Sequence, residues 1–423
     1  MWHRRGVNEP VGWQPQTRPG WVTKLNLIGQ NRGSPASLIS LDEDSLIEAA
    51  QTATGLVDFG GDEWREPFRL LIGDLDELAE LTLAGRMMAR SELIRSLMVR
   101  LQMAEVERLH PEILDQPVDA PIFITGMGRT GTSILFELLA EDPAFRAPMA
   151  WELRYPSPPP ETATRDTDPR IAMATADTGM WVEITPEFLA IHETHPDGPD
   201  EDSSGQIHEF TSPVWTATHR APNYEAWLQG SGMTQAFRFH RRLLQHLQWK
   251  DPGQWILKAP SHMSCLPSLF AEYPDARVIM THRDPVKVLA STANMLATLR
   301  WQRSDRVDHE EIAQTIGFGY PILLDMVVQQ RDSGDVPGDR FVDVRFADLM
   351  ADHLATIRGL YEQLGLELTD EAAGRMRSYI EGRPKGRHGA SNYRFEHMGL
   401  DLASTRAMFA GYMARFDVPE EEL

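Results

Sequence analysis

The chain has 423 residues, enough for one large domain with elaborations or two to three smaller ones, and 42% of them are hydrophobic, an ample supply for a core. With 41 Lys and Arg against 62 Asp and Glu the net charge is −21, which argues against a nucleic-acid partner but not against a small polyanion met by a few convergent cations. The single cysteine, Cys265, excludes an intrachain disulfide framework and a multi-thiolate zinc site, and fits a reducing cytoplasm.

Met1-Trp-His-Arg-Arg5 has early positive charge but no apolar segment behind it, so it does not read as a signal peptide. No apolar run reaches the roughly eighteen residues of a spanning helix, so no transmembrane segment is expected; peripheral membrane contact stays open. Residues 1 to about 35, rich in Pro, Gly, Trp and Asn, read as an irregular arm. Asp42 or Asp44 can cap a helix through Leu46 and Ala50, Pro67 suits the start of another, and a long amphipathic helix is expected from about Leu75 to Leu109. Its Met88, Met98 and Met103 are better explained as core than as a lipid surface. Together, residues 1–115 read as an N-terminal arm and helical region ahead of a second region, residues 116–423.

That second region opens with Pro121-Ile-Phe-Ile-Thr-Gly-Met-Gly-Arg-Thr-Gly-Thr-Ser133, followed by Ile134, Leu135, Leu138 and Leu139. Apolar residues entering a loop with three glycines, then apolar residues at helical spacing, read as strand, phosphate loop and helix. Such a loop turns backbone N–H groups and a helix N-terminus toward an anion. Gly126 and Gly131 have the spacing of the ATPase and kinase loop, but Thr132 stands where those enzymes carry lysine, and the loop's cation is Arg129.

Further on, an insertion over about 155–250 is expected to be mostly helical, with a helix from Thr234 to Trp249. Its aromatics, among them Trp181, Phe188, Phe210, Trp215 and Tyr224, suit either a satellite core or the wall of an apolar pocket. The acidic, Gly/Pro/Ser-rich stretch from Asp197 to Gly205 reads as a mobile surface loop. Trp255-Ile-Leu-Lys258 and Arg277-Val-Ile-Met-Thr-His282 are short strands; Asp284 and Pro285 start a helix to about Arg300, and Asp308 with Glu311 starts another. Phe341-Val-Asp-Val-Arg345 is a further strand. Strands alternating with helices imply a parallel sheet covered on both faces.

The order Arg129-Thr-Gly-Thr-Ser133 resembles the 5′-phosphosulfate loop of sulfotransferases that use 3′-phosphoadenosine 5′-phosphosulfate (PAPS), and the resemblance runs over roughly residues 120–415. It implies a P-loop-like α/β fold with a helical acceptor-side insertion, and transfer of a sulfuryl group from PAPS to a hydroxyl or amine, releasing adenosine 3′,5′-bisphosphate. It implies cofactor contacts from Gly128, Arg129, Thr130, Gly131, Thr132 and Ser133, and 3′-phosphate contacts from Arg283 and Ser291. It also implies a late loop, about 381–400, that closes on the 3′-phosphate through Lys385, Gly386 and Arg387. Planar guanidinium donors and a helix N-terminus suit a phosphate. Sulfuryl transfer spreads negative charge over the sulfonate and the leaving oxygen, so Arg129 and Lys258 are the candidate catalytic cations. For the base, the family offers a glutamate a little over twenty residues past the loop cation, here Glu152, or a histidine after the strand lysine, here His262, two residues later than in the usual spacing. Ile134 stands where the soluble aryl enzymes place an adenine-stacking tryptophan. No carboxylate–histidine motif points to a metal.

The expectation is therefore a sulfotransferase acting on a small-molecule or lipid-like acceptor. A nucleotide kinase or NTPase, and a lipid- or partner-binding protein with a degenerate cofactor site, are the alternatives. Oligomeric state is open.

Overall fold

The computed structural model describes residues 13–188, 195–383 and 394–423. At its centre is a five-stranded sheet built from β1 (Ile122–Thr125), β2 (Phe145–Arg146), β3 (Gln254–Lys258), β4 (Arg277–His282) and β5 (Phe341–Arg345), in the order β2-β3-β1-β4-β5. All four pairings are parallel, with Ile122 opposite both Ile256 and Arg277. Every strand therefore delivers its C-terminal end to the same edge, which is where open α/β sheets bind ligands.

The alternation along each strand assigns the two faces. Phe123, Leu257, Val278 and Met280 join one apolar layer, and Ile122, Ile124, Ile256, Ile279, Val342 and Val344 join the other. Helices Thr132–Leu139, His353–Leu364 and Asp370–Gly382 cover the second face. The first face carries both the N-terminal helices and the insertion, whose Leu46, Trp64, Phe68, Leu93, Phe210 and Phe237 share one continuous core with the sheet. Phe123 lies wholly buried there, 5.2 Å from the His262 ring and 5.4 Å from that of Tyr273. Truncating it to alanine would cost about 3–5 kcal/mol.

Three expectations change. The arm contains a helix, Gly20–Asn31. It docks through Val22, fully buried in a small apolar cluster with Leu25, Ala84 and Met88, and by close approach, since a Cβ on Gly29 would stand 2.8 Å from Leu83 Cβ. The expected run from Leu75 to Leu109 is broken into Arg65–Glu77 and Leu83–Leu109, because Thr82 starts the second helix by accepting from the Gly85 N–H at 3.1 Å. Within it Met88 and Met103 are buried, whereas Met87 is exposed. Finally, the acidic stretch 197–205 is not a free surface loop: Asp202, Ser203 and Gly205 are buried, and Asp202 N–H donates to the Lys258 carbonyl at 3.3 Å.

Candidate active site

The β1 end and its loop are shaped by backbone geometry. Gly126 has φ +143°, and a Cβ there would stand 2.4 Å from Thr281 Oγ1, so no larger residue fits. Arg129 (φ +66°) and Gly131 (φ +91°) complete the turn into the helix Thr132–Leu139, whose apolar residues face the second core layer. Thr130 is buried, its hydroxyl donating to the Met127 carbonyl at 2.6 Å and lying 2.6 Å from Thr281 Oγ1. The side chain expected to touch cofactor is thus a pin for the loop, and what Thr130 can offer an anion is its backbone. Gly128, Arg129, Gly131, Thr132 and Ser133 line a cleft of about 1420 Å³.

Lys258, at the end of β3, is buried behind Ser133 and Glu201, both of which line that cleft. Its Nζ lies 2.7 Å from Glu201 Oε1 and 3.5 Å from Ser133 Oγ. Arg283, just past the end of β4, lines the cleft, donates to the Arg129 carbonyl at 2.8 Å and lies 3.9 Å over the Phe346 ring. The other edge of its guanidinium is taken by Glu421 in a bidentate pair at 2.7 and 2.8 Å. Ser291, on the helix Pro285–Trp301, also lines the cleft; it is 2% exposed and its hydroxyl has no hydrogen-bond partner among the described residues. A loop of amides, a lysine, an arginine and an orphaned hydroxyl on one sheet edge fit a ligand with anionic groups at two ends. Among the described residues no group of three or more His, Cys, Asp or Glu could hold a metal ion.

Away from the loop the cleft becomes an apolar chamber, walled by Trp181, Trp215 and Met233 of the insertion and by Leu296, Ile316 and Leu323. The insertion's aromatics thus serve twice. Phe210, Tyr224 and Phe237 belong to the main core, while Trp215 belongs to both core and chamber.

Neither expected base faces the cleft. Glu152 is fully buried, accepting from Arg146 at 2.9 and 3.3 Å and from the Met149 N–H at 2.9 Å, with Arg165 3.3 Å away. Oε2 caps the helix Ala150–Arg154 at the Met149 N–H and Oε1 is held between Arg146 and Arg165, so Glu152 is engaged as a structural ion-pair partner rather than facing the cleft. His262 is 1% exposed, with Nε2 2.7 Å from Asp202 Oδ2, and so is turned away from the cleft. Burial would lower its pKa, but the Asp202 carboxylate outweighs that and lifts it to about 10, leaving an imidazolium at neutral pH. Asp202, opposed by burial and favoured by its two histidines, lies far below the usual carboxylate range.

The carboxylate that does line the cleft beside the lysine is Glu201. Its local sequence carries no sign of this, since an acidic run among Gly, Pro and Ser looks like solvated loop. Only its pairing with Lys258, 57 positions away, marks it. Lys385, Gly386 and Arg387 lie outside the described residues. Arg383, just before them, lines the cleft and donates to Glu137 at 2.9 Å. Among the described residues no helix is long and apolar enough to cross a membrane.

A sequence profile of the sulfotransferase family matches residues 121–370. Over 270 residues, 62% of this chain and 67% of the relative, the chain is 26% identical to the omega-hydroxy-beta-dihydromenaquinone-9 sulfotransferase Stf3 of Mycobacterium tuberculosis, and equally to that of Mycobacterium bovis. Among solved structures it is similar to sulfotransferase STF9 of Mycobacterium avium, at 29% identity and a TM-score of 0.82, covering 90% of this chain and 98% of that one. Sulfotransferase STF1 of Mycobacterium tuberculosis is similar at 30% identity and a TM-score of 0.77, covering 88% and 98%.

Proposed function

The chain belongs to the sulfotransferase family, and we propose that it transfers a sulfuryl group from PAPS to a hydroxyl on an apolar acceptor, leaving adenosine 3′,5′-bisphosphate. The observation that carries this reading is a single cleft in which Gly128, Arg129 and Gly131 to Ser133 of the loop, with Glu201, Arg283 and Ser291, meet an apolar chamber. PAPS, when bound, supplies an activated sulfuryl group on a phosphate leaving group. The chain's own tasks are to hold, to neutralise and to take a proton.

Amides of Gly128 to Ser133 and the Arg129 side chain hold the 5′ end, and Arg283 with Ser291 holds the 3′-phosphate. Lys258, buried 3.5 Å from Ser133 Oγ, stabilises charge arriving on the leaving oxygen from behind the cleft wall. Glu201 takes the acceptor's proton. It lines the cleft beside the strand lysine, and its partner Lys258 lies 2.7 Å away to balance charge as the proton moves. The chamber orients the acceptor's body and keeps water from competing for the sulfuryl group.

An apolar acceptor agrees with the walls of the chamber and with the mycobacterial relative, which is named for a hydroxylated menaquinone derivative. The test is transfer of labelled sulfate from PAPS in a screen of long-chain alcohols, phenols and free sugars. Labelling of apolar alcohols or phenols is expected; labelling of sugars alone would overturn the acceptor assignment.

A further inference from the structure

We propose that Asp202, clamped by His262 and His240, is a positioning residue that holds Glu201 against Lys258. The inference rests on the sulfotransferase reading and on Glu201 as the base. Asp202 is fully buried, and its Oδ2 lies 2.7 Å from His262 Nε2 and 3.0 Å from His240 Nε2. The other side of His240 is fixed in turn, its Nδ1 2.8 Å from the hydroxyl of buried Tyr273.

The three anchors come from separate pieces of the scaffold. His240 lies on the helix Thr234–Gln248, His262 in the turn Pro260–Ser264 that follows β3, and Tyr273 at the end of the helix Leu266–Glu272. The Asp202 amide is tied to the carbonyl of Lys258, the same residue whose ammonium meets Glu201. Two successive carboxylates thus grip the end of β3 in different ways: Asp202 is locked inside, and Glu201 is delivered to the cleft. Withdrawing a carboxylate from water is unfavourable unless it is well paired, so a plain loop anchor would be made more simply from apolar residues. What the charged clamp adds is selectivity. With Asp202 matched to an imidazolium inside the core, Glu201 is the neighbouring carboxylate left to Lys258.

A double-mutant cycle read by calorimetry with adenosine 3′,5′-bisphosphate tests this on the full chain. Glu201→Gln removes a carboxylate beside the bound anion and its lysine, and is expected to tighten bisphosphate binding about three- to tenfold. Asp202→Asn is expected to shift the affinity in the wild-type background and to leave it within about twofold in the Glu201→Gln background, because it acts through Glu201. A purely structural role would shift both backgrounds equally. Additive effects, or no effect of Asp202→Asn on affinity, would overturn the inference. A crystal structure of Asp202→Asn with bisphosphate is expected to show Glu201 withdrawn from Lys258; Glu201 still seated there would also overturn it. If Asp202→Asn does not fold, His262→Gln takes its place in the cycle with the same expectations. Absence of bisphosphate binding by the wild type would instead defeat the sulfotransferase reading, and the inference with it.

Discussion

Replacing Ser291 with alanine separates ligand binding from folding. The Ser291 hydroxyl is buried at the cleft wall without a partner among the described residues, so its removal breaks no bond in the free protein. An unsatisfied buried hydroxyl is itself unfavourable by about 1–3 kcal/mol, so the free variant is expected to melt at the wild-type temperature or above it. Toward a phosphate the same hydroxyl donates to a charged acceptor, which is worth about 1.5–3 kcal/mol. Its loss is therefore expected to weaken adenosine 3′,5′-bisphosphate about 10- to 150-fold. Isothermal calorimetry gives the affinity and a thermal melt gives the stability. An affinity within about twofold of wild type would refute the assignment of Ser291 to the 3′-phosphate, and a lowered melting temperature would show that the hydroxyl serves the fold.

Lys258→Ala is expected to lower turnover with PAPS by about 10²–10³, the scale of losing one preorganised donor, and near-normal steady-state turnover would contradict its role. Glu421 occupies one edge of Arg283, so a 3′-phosphate must share that guanidinium with a carboxylate. Glu421→Gln is expected to tighten bisphosphate binding by up to about fivefold; weaker binding in a titration would show that Glu421 instead orients the arginine. The His262–Asp202 pair also sets a pH dependence. Burial alone would favour the neutral forms, and mutual attraction outweighs it in both. The contribution of Asp202, whose pKa is depressed, is present above the usual carboxylate range and lost on acidification. The contribution of His262, lifted from 6.5 to about 10, is full below pH 6.5 and lost as pH rises through 10. The melting temperature is thus expected to fall between these pH values more steeply in wild type than in His262→Gln, and equal slopes would contradict the pairing.

What could be read in the sequence is what the backbone dictates locally. The glycines of the loop 126–131, the Asp284-Pro285 helix start, and the apolar strands around Phe123, Leu257 and Ile279 each carry their reason within a few residues, whereas Arg283 and Ser291 are singled out only by the family resemblance. The parallel α/β fold was accessible from those local patterns. Pairing over distance was not. Glu201, Asp202 and Glu421 acquire their meaning only from Lys258, from His262 with His240, and from Arg283. Glu152 sits at a familiar spacing from the loop cation, and nothing in its neighbourhood of the chain reveals that Arg146 and Arg165 enclose it. The helix Gly20–Asn31 carries only Val22, Leu25 and the close approach of Gly29 to Leu83 as its apolar docking contacts, too few to form a periodic signal in a stretch rich in Pro, Gly and Asn.

The measurement that bears most directly on the central claim is a calorimetric titration with adenosine 3′,5′-bisphosphate, set against ATP with Mg²⁺, on the wild type and on Arg283→Ala. The bisphosphate is expected to bind more tightly than ATP, and the substitution to abolish that preference. Tighter binding of ATP with Mg²⁺, indifferent to Arg283→Ala, would contradict it and point to a nucleotide kinase.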